Sequence, residues 1–525
     1  MGVLVVEEGK WSPIVHGICK NTFFLQIIFL ILLKSYKMAI ISAYLLIDLI
    51  LFRIILQTDI RIIVMMTTKR FFFAVCGILA SCTVWAGGLM TNTNYHIAFD
   101  RMFARGATFD IDAAYSNPAG LAWGHEGWQL SLNFQKPWQN RDIQTVIPNY
   151  YGAGADFYQK YNGKASAPIV PALFASYKHD RWAVSSMIGI VGSGGFVKYD
   201  EGVPMFNVVL ASMLASKGVT PDQYKLDSQM KGKQYIYGGQ VNFTYRVLDC
   251  LSAAVGLRAN YYDGYYRGHV VASEHPMLGD LVSLNLDVDQ KGWGFTPLVS
   301  VDFHKGPLTL AARYEFRTKL NVPNTTNTLE AGLGEKLQQT LMATDPASLQ
   351  AIGAALKSKT AAYEDGAKTR YDMPALLSVA AGYEFSPQLR ASVEYHYFDD
   401  THAKMADNRQ KHLTHGTHEV LAGVEYDINE TFTVSAGGQR TDYGLSDDYQ
   451  THTSFACDSY SVGFGAAVNL NEHLRLNVSY FTTLYSDYEK KVEAGNPGYQ
   501  GTGLAGTDTF SRTNHVIGVG IDYKF

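Results

Sequence analysis

The residues able to do chemistry recur at a spacing of two. Arg313, Glu315 and Arg317 follow one another in this way. So do Arg390, Ser392, Glu394 and His396, within one run. A histidine among carboxylates, with many serines elsewhere, is the raw material of a hydrolase. A serine nucleophile needs a presenting turn such as Gly-x-Ser-x-Gly, and the chain has none. It also has no P-loop, no dinucleotide fingerprint and no His/Cys set with metal-ligand spacing. No catalytic residue, metal or cofactor is therefore expected. What a spacing of two does describe is one face of an extended strand.

The intervening residues are apolar. Leu308, Leu310, Ala312, Tyr314 and Phe316 alternate with Thr309, Arg313, Glu315 and Arg317. Leu389, Ala391, Val393, Tyr395 and Tyr397 alternate with Arg390, Ser392, Glu394 and His396. A charge on a lipid-facing strand position costs about 2–4 kcal/mol at mid-bilayer, so the charged set must line an interior. The last residues, His515 to Phe525, show the same pattern. Val519, Ile521, Tyr523 and Phe525 oppose Gly518, Gly520, Asp522 and Lys524, and the sequence ends on an aromatic. Such an ending suits the closing strand of an outer-membrane barrel, with Phe525 as its terminal signal.

Composition agrees. Of 525 residues, 18% are charged and 13% aromatic, with 33 Tyr, 27 Phe and 48 Gly. Few charges and many aromatics fit lipid-facing strands with interfacial girdles. The net charge of −4 is too near neutral for a nucleic-acid binder. Of the five cysteines, Cys19, Cys76 and Cys82 precede the expected mature chain. Cys250 and Cys457 have no zinc spacing and are expected to be unpaired.

Alternating runs begin at 128, 171, 182, 235, 251, 294, 308, 376, 389, 420, 432, 460, 474 and 515. They predict an all-β fold: an antiparallel transmembrane barrel of about fourteen strands. Short turns alternate with long loops, as periplasmic turns and extracellular loops do. Two long loops carry helical stretches, Met205 to Leu214 and Leu329 to Leu356. Met205, Phe206, Val209, Leu210 and Met213 from the first, with Leu333, Leu337 and Leu341 from the second, either pack as a lid or form an apolar capture groove. The third strand ends in a glycine-rich stretch including Gly192, Gly194 and Gly195. That is a barrel corner or an interruption of the wall.

Residues 1–64 are expected to be an apolar extension outside the mature protein, because Met65 starts a complete secretory signal, residues 65–86. A lipobox-like Leu79-Ala80-Ser81-Cys82 is the alternative processing site. Residues 87–126 are not strand-like and are long for a bare leader, which predicts a plug inside the barrel of residues 127–525. Within the plug, Asn117-Pro118-Ala119 marks a turn.

Taken together, the Asn-Pro-Ala turn after a signal, the strand count, the helical loops, Met373-Pro374 before a strand and the terminal Phe525 resemble the outer-membrane long-chain fatty-acid and hydrocarbon transporters (the FadL and TodX group). The resemblance covers roughly Gly87 to Phe525. It implies passive diffusion of a hydrophobic molecule past an amino-terminal hatch and out through a gap at the third strand. The implied location is the outer membrane of a Gram-negative bacterium. The implied partners are a hydrophobic small molecule, outer-membrane lipid and the barrel assembly machinery. A related barrel serving an outer-membrane secretion machine is the competing reading.

Overall fold

Inside a bilayer a backbone N–H or C=O has no water to bond, so a sheet that crosses it must close on itself. This one does. The computed structural model describes residue 89 and residues 95–525, apart from 167–168, 216–220, 496–497 and most of 345–360. The expected extension, signal segment and Cys82 lie outside the described residues. The described residues belong to one compact unit, Ser81–Phe525.

Eighteen segments join in one antiparallel sheet. They are β1 (Gly127–Ile147), β2 (Phe157–Ser166), β3 (Val170–His179), β4 (Trp182–Tyr199), β5 (Lys225–Leu248), β6 (Leu251–Ser273), β7 (Val282–Lys305), β8 (Leu308–Glu315) and β9 (Asn321–Leu333). Then come β10 (Lys368–Arg370), β11 (Leu376–Glu384), β12 (Leu389–Phe398), β13 (Thr417–Asp427), β14 (Phe432–Asp442), β15 (Ser459–Asn469), β16 (Leu474–Tyr485), β17 (Tyr488–Val492) and β18 (Gly506–Lys524). Four staves are each broken into two segments: β2 with β3, β8 with β9, β10 with β11, and β16 with β17. The barrel therefore has fourteen staves. It closes where β1 pairs β18 from Gln129↔Lys524 to Val146↔Thr507, and the Phe525 N–H adds a bond to the Trp128 carbonyl at 2.9 Å.

The faces follow the alternation. On β5, Gln240 is 1% exposed and Val241 59%. Apolar side chains turned outward in this way form the lipid-facing belt. Trp128, Tyr245, Phe385, Phe432 and Phe525 ring its short-turn rim, and Trp138, Tyr261 and Trp293 lie on its long-loop side. No helix among the described residues is long and apolar enough to cross a membrane.

Strands extend further than the apolar alternation indicates. β5, β6 and β7 run 24, 23 and 24 residues, well past the belt toward the long loops. Above the bilayer no lipid demands an apolar outer face, so polar residues such as Lys225 to Lys233 pair as strand without showing the pattern. Leu329 to Leu333, expected as helix, is a correction of the same kind: these residues end β9, with Leu329 opposite Leu286 and Leu333 opposite Val282. Helix begins only at Glu335.

Residues 95–124 lie inside the ring, and His125 and Glu126 are exposed at its short-turn rim. Helix α1 (Ile97–Met102) touches β1, β13, β14, β15, β16 and β18, whereas the 3-10 turn Pro118–Trp123 touches β4, β5, β6 and β7. A short helix, α2 (Ala113–Ser116), lies between them. The wall makes room for α1 by omitting side chains. A Cβ on Gly423 or Gly437 would collide with the Met102 backbone carbonyl, on Gly463 with that of Asp100, and on Gly518 with Ile97.

Candidate functional site

The inner segment is bound to the wall through side-chain and backbone groups. Asn117 Nδ2 donates to Asp302 Oδ2 at 3.2 Å, and Trp123 Nε1 donates to Asp302 Oδ1 at 3.0 Å. Thr244 Oγ1 donates to the Pro118 carbonyl at 2.8 Å. The Ala119 N–H donates to Ser300 Oγ at 3.1 Å, and Ser252 Oγ donates to the Ala119 carbonyl at 2.7 Å. Pro118 fixes the turn that presents these groups, and three neighbouring staves read them.

The lumen charges expected from the spacing have separate tasks. Arg313 donates to the Tyr115 carbonyl of α2, and Glu315 pairs with Arg258. Glu394 accepts the N–H groups of Arg105 and Gly106 at 3.0 and 2.8 Å. Both ring nitrogens of His396 are taken up, one by Glu394 at 2.7 Å and the other by Glu419 at 2.8 Å. Neither nitrogen is left to accept a proton from a serine. Arg390 lies half-buried against Glu425 and Asp427. Arg317 is a correction. It lies beyond the end of β8, is exposed, and donates to the His402 carbonyl at 2.6 Å. The alternation stops where the stave breaks, so its side chain does not line the lumen.

The glycine-rich stretch sits in β4. β4 pairs β3 from Trp182↔His179 up to Ile188↔Leu173, and then pairs β2 only at Lys198↔Lys164 and Tyr199↔Gly163. Residues 189–197 have no ladder on that side. On the other side the ladder to β5 slips twice, between Ile190 and Gly192 and between Ser193 and Gly195. Gly195 takes φ +78°, the left-handed region that favours glycine. Gly194 lies in the same stretch of backbone.

A cavity of about 490 Å³ lies in the lumen beside this break. Gly195 and Val197 of the unpaired stretch line it, as do Met205, Tyr199, Tyr266, Tyr371 and Arg141. Next to it an apolar sector, with Met187, Val191, Ile236, Leu320 and Met373, packs against α2.

Of the proposed capture residues, Met205, Phe206 and Leu210 lie on α3 (Pro204–Ala215), and Leu337 on α4 (Glu335–Thr344). Phe206, Leu210, Leu333 and Leu337 share one cluster with Val270, Leu281 and Val282. The packed-lid alternative describes these four residues. Met205 instead faces the lumen cavity. The side chains of Val209, Met213 and Leu341 lie outside the described residues.

Arg141 escaped the pattern reading because it lies beyond the predicted end of the first strand. It is buried, donates from Nη2 to the Phe455 carbonyl at 3.0 Å, and lies 5.0 Å from the centroid of the Phe455 ring. Its register partner on β18 is Arg512. Among the described residues neither guanidinium has an ion pair. Like charges directly opposite across two strands repel.

Asp400 also lines the cavity and accepts the Thr417 N–H at 2.9 Å. Burial lifts its carboxyl to about 7, against the Thr417 hydrogen bonds and with help from Asp399 and Glu419. The folded-state value exceeds the unfolded one, so the folded protein takes up a proton as pH falls through about 7. The stability this contributes is full below the ordinary carboxylate range and is lost as pH rises toward 7. As pH falls through that value the cavity becomes less negative. An alkyl sulfonate, charged throughout, is expected to bind more tightly at pH 6 than at pH 8. Asp400→Asn flattens that dependence in a fluorescence titration.

A closed antiparallel barrel, apolar outside and charged within, with short turns at one rim and long loops at the other, is the fold of an outer-membrane β-barrel protein. A family model for the outer membrane protein beta-barrel domain matches residues 340–525. No curated protein matches the chain. Among solved structures, a Pseudomonas aeruginosa FadL homologue aligns with TM-score 0.58 and 14% identity, covering 84% of this chain and 100% of that one. The Pseudomonas putida toluene transporter TodX aligns with TM-score 0.50 and 14% identity, over 84% and 100%. The shared feature is the fold.

Proposed function

We propose that the barrel takes up hydrophobic small molecules that carry an anionic end, long-chain fatty acids being the fitting class. It admits them to the lumen cavity past residues 95–126, which act as its hatch, and releases them sideways through the break in the wall. The observation that carries this reading is the place of Gly195 and Val197. They belong to the stretch without a ladder, and they line the cavity. The apolar sector beside it replaces water around a hydrocarbon tail, and Arg141 offers a charge to a carboxylate. The FadL-homologue and TodX folds support a transport role rather than a catalytic one. The test is equilibrium binding to the purified barrel of a long-chain carboxylate, its methyl ester and the parent alkane. The carboxylate is expected to bind at least about tenfold more tightly than the ester. Absence of binding by all three sinks the reading, and equal binding by all three sinks its anionic part.

A further inference from the structure

The outer surface above the lipid belt carries a row of cations that the transport reading does not use. Lys164 on β2 stands opposite Lys198 on β4, and Lys198 stands opposite Lys231 on β5. All three point away from the lumen. Their alternate neighbours Tyr161, Val197, Tyr199, Met230 and Gly232 are buried or line the cavity. Paired positions on adjacent strands are only about 5 Å apart, so three ammonium groups in line repel one another unless an anion sits among them. The structure supplies one. Asp200 pairs with Lys198 and accepts from Gln229 Nε2 at 3.5 Å. Its carboxyl is held below the usual range by the Lys198 hydrogen bond and then by the charges of Lys198, Lys164 and Lys231. The other nearby cations have their own acids: Lys160 pairs with Asp142, Lys233 with Asp263, and Arg267 with Asp287 and Asp289. Among the described residues Lys164 and Lys231 have no ion pair. Three positive charges therefore share a single carboxylate.

The height of the row identifies what it meets. Along β5, the run from Tyr245 at the short-turn rim up to Tyr235, whose ring is buried against Val170 and Ile190, climbs roughly 25 Å at ~3.3 Å per residue and a tilt near 40°, about the thickness of the apolar band. Lys231 lies four residues beyond Tyr235, roughly 10 Å further on, at the level of the outer-leaflet headgroups.

We infer that Lys164, Lys198 and Lys231 form a docking surface for the phosphate groups of a phosphorylated glycolipid in the outer leaflet. A phosphate placed between Lys164 and Lys231 supplies the missing negative charge, while the acyl chains lie on the apolar belt below. The site lies beside the break between β2, β3 and β4, so a bound glycolipid stands next to the proposed exit.

The test uses the mature barrel in detergent and native mass spectrometry. Its probes are a bisphosphorylated acylated diglucosamine and the same lipid with both phosphates removed. The wild-type barrel is expected to retain the phosphorylated form preferentially. The double variant Lys164→Gln, Lys231→Gln should lose roughly tenfold or more of that retention, at about 1 kcal/mol per basic residue. Lys291→Gln, another exposed lysine of the outer face, should lose none. Heat-modifiable migration of all the variants checks that they fold. Long-chain carboxylate binding in the lumen should persist in the double variant, so this proposal and the transport reading can fail separately. Equal retention of both lipids by the wild type, or of the phosphorylated lipid by wild type and double variant, overturns the inference. Full displacement by millimolar inorganic phosphate also overturns it, since the site would then hold a free anion.

Discussion

Gly437→Val unseats the inner helix. The new Cβ would lie against the Met102 carbonyl, which is backbone at the end of α1. A flexible side chain would swing away from such a contact, but here either the helix or the wall must move. Overpacking typically costs about 1–3 kcal/mol, and a collision with backbone belongs at the top of that range. The helix has little to relax into. Phe99 and Phe103 are packed with Leu421, Phe481 and Val516, and Arg101 pairs with Glu425. The barrel itself should still form, because its ladders do not pass through α1. The expected result is a folded, heat-modifiable barrel whose residues 95–126 are cut by protease far faster than in the wild type. Cells carrying it should admit bulky polar antibiotics. Gly438→Val is the control, since only the Ser461 carbonyl approaches a Cβ there, at 3.5 Å. If both variants protect residues 95–126 as well as the wild type does, α1 is not held by the bare strip of wall.

Arg141→Gln should abolish most discrimination between a carboxylate and its ester. A hydrogen bond to a charged group is worth about 1.5–3 kcal/mol, so loss of the guanidinium should weaken carboxylate binding by roughly 10- to 150-fold. The ester, which makes no such bond, should change less than about twofold. Glutamine can still donate to the Phe455 carbonyl, so the loop stays anchored. The variant should be as stable as the wild type or more so, because Arg141 and Arg512 no longer face each other across β1 and β18. That sign separates a ligand role from a structural one. An Arg141 that merely held the fold would lower the unfolding temperature when replaced, and both ligands would then bind more weakly together.

What was legible in the sequence was whatever the bilayer imposes. Leu389 to Tyr397 and Leu474 to Tyr480 must alternate to face lipid on one side, so the staves and their order could be read directly. Residues 225–233 and the β9 segment 329–333 could not, because they pair above the membrane, where only the backbone is constrained. Gly518 and Gly520 read simply as small residues on the polar face. Their emptiness acquires a reason only when Ile97 is seen against them, more than 400 residues away in the chain. Asn117-Pro118-Ala119 could be read as a turn, but not the carboxylate and hydroxyls that hold it. The register of β1 on β18 brought Arg141 and Arg512 together, and no local pattern announces such a pair.

The way α1 and the Pro118–Trp123 turn divide the wall between them has a consequence for biogenesis. The turn leans on β4, β5, β6 and β7, in the first half of the barrel's strand order. The bare strip under α1 is made by β13, β14, β15 and β18, at the other end of that order. One end of the stopper can therefore be moored while the cylinder is still an open ribbon, and the other has no berth until the seam between β1 and β18 is sewn. A chain lacking β18 would lose that seam and also leave its own leading segment half adrift.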